Sequence, residues 1–293
     1  MLKSRVIFQL ACPVFFILAV PVKGADPAPV APDPRNKAEV EAVLKKAPPP
    51  VPEDKLRTLN ILLLAGKKDH GPGEHDYPLW QKNWTPLVKK LPKVTVDTAF
   101  DWPKPEQIKA ADLMVCFLHP PWTDEQLKDV DSILERGGGV VLVHWAIGPP
   151  MEQAEKFGQR FGLVYTAAGF RHGPIELKLT GGENPVTRGL PATIQLFDET
   201  YFPIHYDQTK VTVIATAEEV WPKGAPTKTT FPQIWSKQLP KGRTYSMIPG
   251  HYNWSFNDPF FRLLLLRGMA WAAGEPEQRF DVLATDGVEY KKE

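Results

Sequence analysis

From Arg57 onward the chain alternates between two patterns of apolar and polar positions. Leu59-Asn-Ile-Leu-Leu-Leu-Ala65, Leu113-Met-Val-Cys-Phe-Leu118 and Val140-Val-Leu-Val143 are short, almost wholly apolar runs, the pattern of strands buried on both faces. Between them Trp80, Trp84, Leu87, Val88 and Leu91 recur at helical spacing, as do Leu127, Val130, Ile133 and Leu134. Each set marks one buried helix face, so these tryptophans are read as core. Thr123 followed by Gln126 is a capping-box pattern for the second helix, and Gly137-Gly-Gly139 ends it. Val94-Thr-Val-Asp-Thr98 alternates as a shorter strand. Strand and helix in turn predict an α/β protein: a doubly wound, mostly parallel sheet with helices on both faces. The second half has period two instead, at 175–179, 211–214, 233–236 and 243–248, which predicts extra antiparallel strands. A last helix begins at Asp258 (N-cap) and Pro259, buries Phe261, Leu264, Leu265, Gly268, Met269 and Ala272, and stops at Gly274.

The flanks read differently. Residues 1–24 hold Lys3 and Arg5, then an apolar stretch interrupted by Gln9, Cys12 and two prolines, then Val22-Lys-Gly-Ala25. This is the pattern of a secretory signal peptide, too interrupted for a spanning helix. The mature protein is therefore expected in the periplasm or medium, without a stable membrane anchor. Residues 25–56 are rich in proline and alanine and end in Pro48-Pro-Pro-Val-Pro52. They read as a linker with one short helix near 36–47, which places the domain at 57–274 and a surface tail at 275–293.

Lysine plus arginine number 35 and aspartate plus glutamate 34, a formal net charge of +1. With no basic block in the body of the chain, a nucleic-acid partner is not expected. Loss of the leader would leave Cys116 as the one cysteine, inside an apolar strand, where a buried structural thiol is expected rather than a nucleophile.

Candidate chemistry gathers where strands end. Gly66-Lys-Lys-Asp-His-Gly-Pro-Gly-Glu-His-Asp-Tyr-Pro78 follows the first strand and holds His70, Glu74, His75 and Asp76. In open α/β sheets ligands bind beyond the carboxyl ends of the strands. The strand at 140–143 runs into His144-Trp-Ala, placing a partly exposed imidazole where elbow-type hydrolases present a nucleophile. Phe170-Arg-His-Gly173 and Asp198-Glu-Thr-Tyr201 add polar groups, and Gly250-His-Tyr-Asn-Trp-Ser255 adds His251 beyond a further strand. His205 is read as structural. Four histidines at one edge suit either general acid–base work or one divalent metal, for which three nitrogens and a carboxylate suffice. His75, His144 and His251 are the candidate ligands, although no HExxH or paired CxxC is present.

Together these stretches, with Gly137-Gly-Gly-Val-Val-Leu-Val-His-Trp-Ala146, Asn184-Pro-Val-Thr-Arg-Gly-Leu190 and Leu266-Arg-Gly-Met-Ala-Trp-Ala-Ala273, resemble the trehalose-utilisation (ThuA-like) family over about 57–274. The resemblance implies the class I glutamine amidotransferase-like, flavodoxin-like fold. It also implies a part in bacterial disaccharide use, beside dehydrogenases that make 3-keto sugars. His144 stands where the amidotransferases have cysteine, so glutamine hydrolysis is not expected. The resulting expectation is an exported enzyme acting on a sugar or 3-keto sugar. Its site would use His70, Glu74, His75, Asp76, His144, Glu199 and His251, led by His144 and His75. Trp122, Trp145, Trp254 and Tyr201 would contact the carbohydrate. The alternative is a non-catalytic glycan-binding or structural module on the same fold.

The leader reading predicts a mature chain beginning close to Ala25. Amino-terminal sequencing of protein recovered from periplasm or medium checks it, and a Met1 terminus in the membrane fraction contradicts it.

Overall fold

The computed structural model describes residues 29–180, 184–205 and 207–292, so the expected leader lies outside the described residues. In chain order the elements are α1 (Lys37–Leu44), β1 (Leu59–Ala65), α2 (Tyr77–Val88), β2 (Val94–Phe100), α3 (Pro105–Ala110), β3 (Leu113–Phe117), α4 (Asp124–Glu135), β4 (Gly139–Val143) and α5 (Ala154–Phe161). There follow β5 (Val164–Leu179), β6 (Thr193–His205), β7 (Thr212–Glu219), β8 (Thr229–Gln238), β9 (Arg243–Met247) and α6 (Pro259–Ala272). Among the described residues no helix is long and apolar enough to cross a membrane.

Among the described residues nine strands form one sheet in the order β2-β1-β3-β4-β9-β8-β7-β5-β6. β2, β1, β3, β4 and β9 are parallel neighbours, the 2-1-3-4-5 order of flavodoxin-like sheets. β8, β7, β5 and β6 continue the sheet with antiparallel pairings. The sheet is therefore mixed, with as many antiparallel as parallel neighbours, rather than mostly parallel. The difference arises because β5 to β8 are inserted between the fourth and fifth parallel strands and pair mainly among themselves.

The parallel half does carry helices on both faces. Leu59, Ile61 and Leu63 share a core with Trp80 and Trp84 of α2 and with α6, while Leu62, Leu64, Met114 and Cys116 pack with residues of α3, α4 and α5. Alternate strand residues point to opposite faces, so a wholly apolar strand serves both cores. The Thr123–Gln126 capping box forms as the sequence predicts, and the Asp258 carboxylate accepts from Phe260 and Phe261 N–H to start α6. Cys116 is fully buried, and burial pushes its thiol well above the ordinary value.

The flanks are less separate than their composition suggests. Asn36 caps α1, whose Val40 and Val43 join the main core. Arg35 pairs with Asp258 at 2.7 Å and lies over the Phe260 ring. Beyond Gly274 the chain is no surface tail: a 3-10 helix over Glu277–Leu283 buries Phe280 and Leu283 against the same core. Asp281 takes a bidentate pair from buried Arg267, at 2.9 and 2.7 Å. Proline-rich and charged composition masks these contacts because each rests on one or two apolar residues. Phe280→Ala is accordingly expected to destabilise the fold by about 3–5 kcal/mol, read as a lower denaturant midpoint. A surface tail would give no change.

Candidate functional site

The site lies beyond the carboxyl ends of the parallel strands. The loop after β1 supplies His75, the turn after β4 supplies His144 and the turn after β9 supplies His251, while β6 brings Glu199. The His75 amide donates to the His251 carbonyl at 2.9 Å, tying two of these loops together. Both His75 and His144 have left-handed backbone, at φ 41° and 57°, a conformation that non-glycine residues hold only when their surroundings impose it. Asp198 supplies part of that frame. Its Oδ1 accepts from the amides of Glu199, Gly250 and His251 at 2.7–2.9 Å, and its Oδ2 accepts from the Ser255 hydroxyl.

Four donor atoms converge in this frame. His75 Nε2 is 2.8 Å from His144 Nε2 and 2.9 Å from His251 Nδ1, and the latter two are 3.3 Å apart. Glu199 Oε2 lies 3.2 Å from His144 Nε2 and 2.9 Å from His251 Nδ1. All four residues are buried. His144, expected at the strand end as partly exposed, is 0 % exposed because the β9 turn and β6 close over it.

The outer partners fix the tautomers. His144 Nδ1 meets the Ile248 carbonyl at 2.7 Å, and a carbonyl only accepts, so Nδ1 carries the proton. His75 Nδ1 meets Asp69 Oδ1 at 2.9 Å. Burial pushes the Asp69 carboxyl up, but its hydrogen bonds with His75 and His70 outweigh this and bring it down to about 2. As an ionised acceptor, Asp69 also leaves the proton on Nδ1 of His75. With Nδ1 of each ring engaged outward, the two Nε2 atoms face each other across 2.8 Å. Further protonation of His75 is disfavoured, because burial pushes it down to about 3, reinforced by the neighbouring histidines and opposed by Asp69. His251 is also pushed down, chiefly by burial, and its Nε2 is buried without a hydrogen-bond partner, 3.7 Å from Glu74 Oε1. Bonds of about 2.0–2.1 Å to one ion hold donors roughly 2.9 Å apart at octahedral and 3.3 Å apart at tetrahedral angles. The observed separations span that interval. Asp69 behind His75 and the Ile248 carbonyl behind His144 stand where the outer partners of metal-bound histidines stand.

Tyr201 places its hydroxyl 3.0 Å from His144 Nε2, and Tyr77 places its own 3.0 Å from His75 Nδ1. Burial raises both phenols well above their ordinary value. Toward solvent, His172 Nε2 meets Glu199 Oε1 at 3.0 Å, from the residue directly opposite Glu199 in the β5–β6 pairing. That contact raises His172 above its ordinary value. Burial pushes the Glu199 carboxyl up and the surrounding histidines pull it down, leaving it below the usual carboxylate range.

Of the residues expected at the site, His75, His144, Glu199, His251 and Tyr201 meet at its centre. Glu74 stands behind His251, and His70 lies on the solvent side, hydrogen-bonded to Asp69 at 2.9 Å. Trp145 is half-buried at the rim, in ring contact with His70, His75 and His119. Trp254 stacks on Tyr252, one residue beyond His251. Two expectations are corrected. Asp76 caps α2 through the Leu79 amide. Trp122 is fully buried among Trp102, Phe157 and Phe161, with its N–H on the Ala146 carbonyl, so no ligand reaches it. Asp69, Tyr77, His172 and Asp198 were not expected in these roles. His172 alternates like any strand residue, and only pairing with β6 shows its partner.

The geometry defines an α/β protein with a buried three-histidine, one-carboxylate centre at the sheet's carboxyl edge. The profile of the ThuA family, described as trehalose utilisation, matches residues 66–272, and the chain belongs to that family. A ThuA-like protein from Bacteroides uniformis is similar over 80 % of this chain and 99 % of its own, with 20 % identity and a TM-score of 0.61. A ThuA-like protein from Parabacteroides merdae is similar over 75 % and 91 %, with 20 % identity and a TM-score of 0.54. No match is found among curated proteins.

The depressed histidines predict acid sensitivity. A histidine whose folded pKa lies below its unfolded value lets the unfolded chain bind the proton first, so stability falls as pH falls between the two values. For His75 the window runs from 6.5 to about 3. The slope is up to about 1.4 kcal/mol per pH unit, partly offset by raised His172. The melting temperature of the metal-free protein is expected to fall steadily from pH 7 to pH 4. His75→Gln should flatten that dependence.

Proposed function

We propose that the protein is a carbohydrate-active enzyme that binds one divalent metal ion between His75, His144, His251 and Glu199 and acts on a sugar or 3-keto sugar. The observation that carries the reading is the pair of Nε2 atoms facing each other at 2.8 Å, with a third nitrogen and a carboxylate oxygen closing the group. A cation turns that contact into ligation without moving the frame. His75, His144, His251 and Glu199 would hold such an ion, and an imidazole-rich donor set with one carboxylate would suit manganese, iron, cobalt, nickel or zinc. Such an ion polarises a carbonyl or hydroxyl oxygen as a Lewis acid.

The residues of the chain supply the rest. Asp69 holds His75, and Asp198 holds the His251 turn. Glu199 presents one oxygen to the centre and keeps the other for His172, whose side chain is 41 % exposed. His172 is thus the proton carrier between centre and solvent. Carbohydrate as substrate rests on the family's description as trehalose utilisation and on the rim. Trp145 and the 61 % exposed Phe170, in ring contact with His172, offer aromatic faces to a sugar ring beside polar groups. The leader pattern of residues 1–24 supports an exported protein that meets its substrate outside the cytoplasm.

The purified full chain is expected to carry about one equivalent of divalent metal by elemental analysis. His144→Ala and His251→Ala should lose it, whereas the exposed His205→Ala should retain it. In a screen of glycosides and 3-keto glycosides, chelation should lower turnover by about 10²-fold or more. A wild-type protein that stays metal-free and inactive, yet binds glycans, makes the binding-module reading the better one.

A further inference from the structure

Tyr201 is 3 % exposed, and among the described residues its hydroxyl has one hydrogen-bond partner, His144 Nε2 at 3.0 Å. That nitrogen has one lone pair, because its ring proton sits on Nδ1 against the Ile248 carbonyl. The same lone pair faces His75 Nε2, His251 Nδ1 and Glu199. When it ligates an ion, the phenol loses its acceptor in a place water scarcely reaches, and a buried hydroxyl left unpaired is costly.

Nor can the ring swing away. It stacks on Tyr165 at 4.0 Å and 7° on one side and on His144 at 5.0 Å and 28° on the other. Buried Gln233 holds the main chain, its Nε2 donating to the Tyr201 carbonyl at 3.1 Å and its Oε1 accepting from the Tyr201 amide at 3.4 Å. The hydroxyl is a donor fixed in advance, with the group it now contacts destined for another bond.

We infer that Tyr201 donates its hydrogen bond to the ligand atom held at the ion's open position, and that this makes the site select an oxygen ligand, a carbonyl or hydroxyl of the substrate. The inference rests on the metal reading above. An oxygen bound to an ion keeps a further lone pair for the phenol, whereas a ring nitrogen spends its only one on the ion. Tyr201 thereby becomes the residue that distinguishes the ligand by its chemistry, and the substrate class narrows to sugars presenting a keto or hydroxyl oxygen to the centre.

The test uses the full chain loaded with cobalt(II), titrated with acetohydroxamate as the oxygen ligand and imidazole as the nitrogen ligand, and followed by visible absorption. Tyr201→Phe keeps the ring stack and should keep both the thermal transition and one equivalent of metal. Its affinity for acetohydroxamate should fall roughly tenfold or more, while its affinity for imidazole stays that of wild type. Unchanged acetohydroxamate affinity in a normally loaded variant overturns the assignment alone. Equal loss for both ligands, or loss of the metal, makes Tyr201 a structural or ligating residue and likewise overturns it. A wild-type chain that takes up no cobalt overturns the metal reading, and the assignment with it.

Discussion

Two imidazole Nε2 atoms held 2.8 Å apart in a buried cluster form a contact that a folded protein keeps only if the surroundings impose it. Here the surroundings do force it. Asp69 fixes the far side of one ring and the Ile248 carbonyl the far side of the other. Both histidines sit in left-handed backbone, and Asp198 binds the third turn through two consecutive amides. Strain and polar burial of this kind are usual where a site is preorganised for a ligand.

The scaffold explains how distant segments reach one point. Parallel strands deliver the ends of β1, β4 and β9 to one edge, and the 2-1-3-4-5 order is the arrangement in which such edges bind ligands. The inserted antiparallel strands extend the sheet and also return to it. The Gln233 side chain of β8 clamps the main chain of β6 at Tyr201, which brings Glu199 and Tyr201 over the edge built by the parallel half. Neither half has the site alone: one holds three histidines, the other the carboxylate, the phenol and the solvent-side His172.

Burial and mutual proximity keep the rings of His75 and His251 unprotonated at ordinary pH, while Glu199 stays ionised among them. The proposed role of the cluster in holding a cation rests on these converging donors, with proton exchange left to His172 on the solvent side. Membership of the trehalose-utilisation family relates the protein to carbohydrate use, and the aromatic, polar rim is of a kind that suits a sugar ring.

Much of the scaffold was legible in the residues themselves. Continuous apolar runs marked β1, β3 and β4, helical spacing marked α2 and α4, and Asp258-Pro259 marked the start of α6, because burial on a regular lattice imposes a period on the chain. The loop at 66–78, His144, Glu199 and His251 also stood out, since polar residues crowd where apolar strands stop. Strand order is what the sequence leaves open: continuous and alternating runs separate strands buried on both faces from half-exposed ones, but not which strands become neighbours in one sheet, so the balance of the mixed sheet came only from the fold. The same holds for β6, where Asp198, Glu199 and Thr200 break the alternation that marks a strand, and for His172, whose partner lies across a strand pair. Trp122 and Asp76 show the reverse case, residues of suggestive type and place that the tertiary structure spends on the core and on a helix cap. Position along the chain tells which residues carry chemistry, but distance, burial and the direction of a lone pair are properties of the folded chain alone.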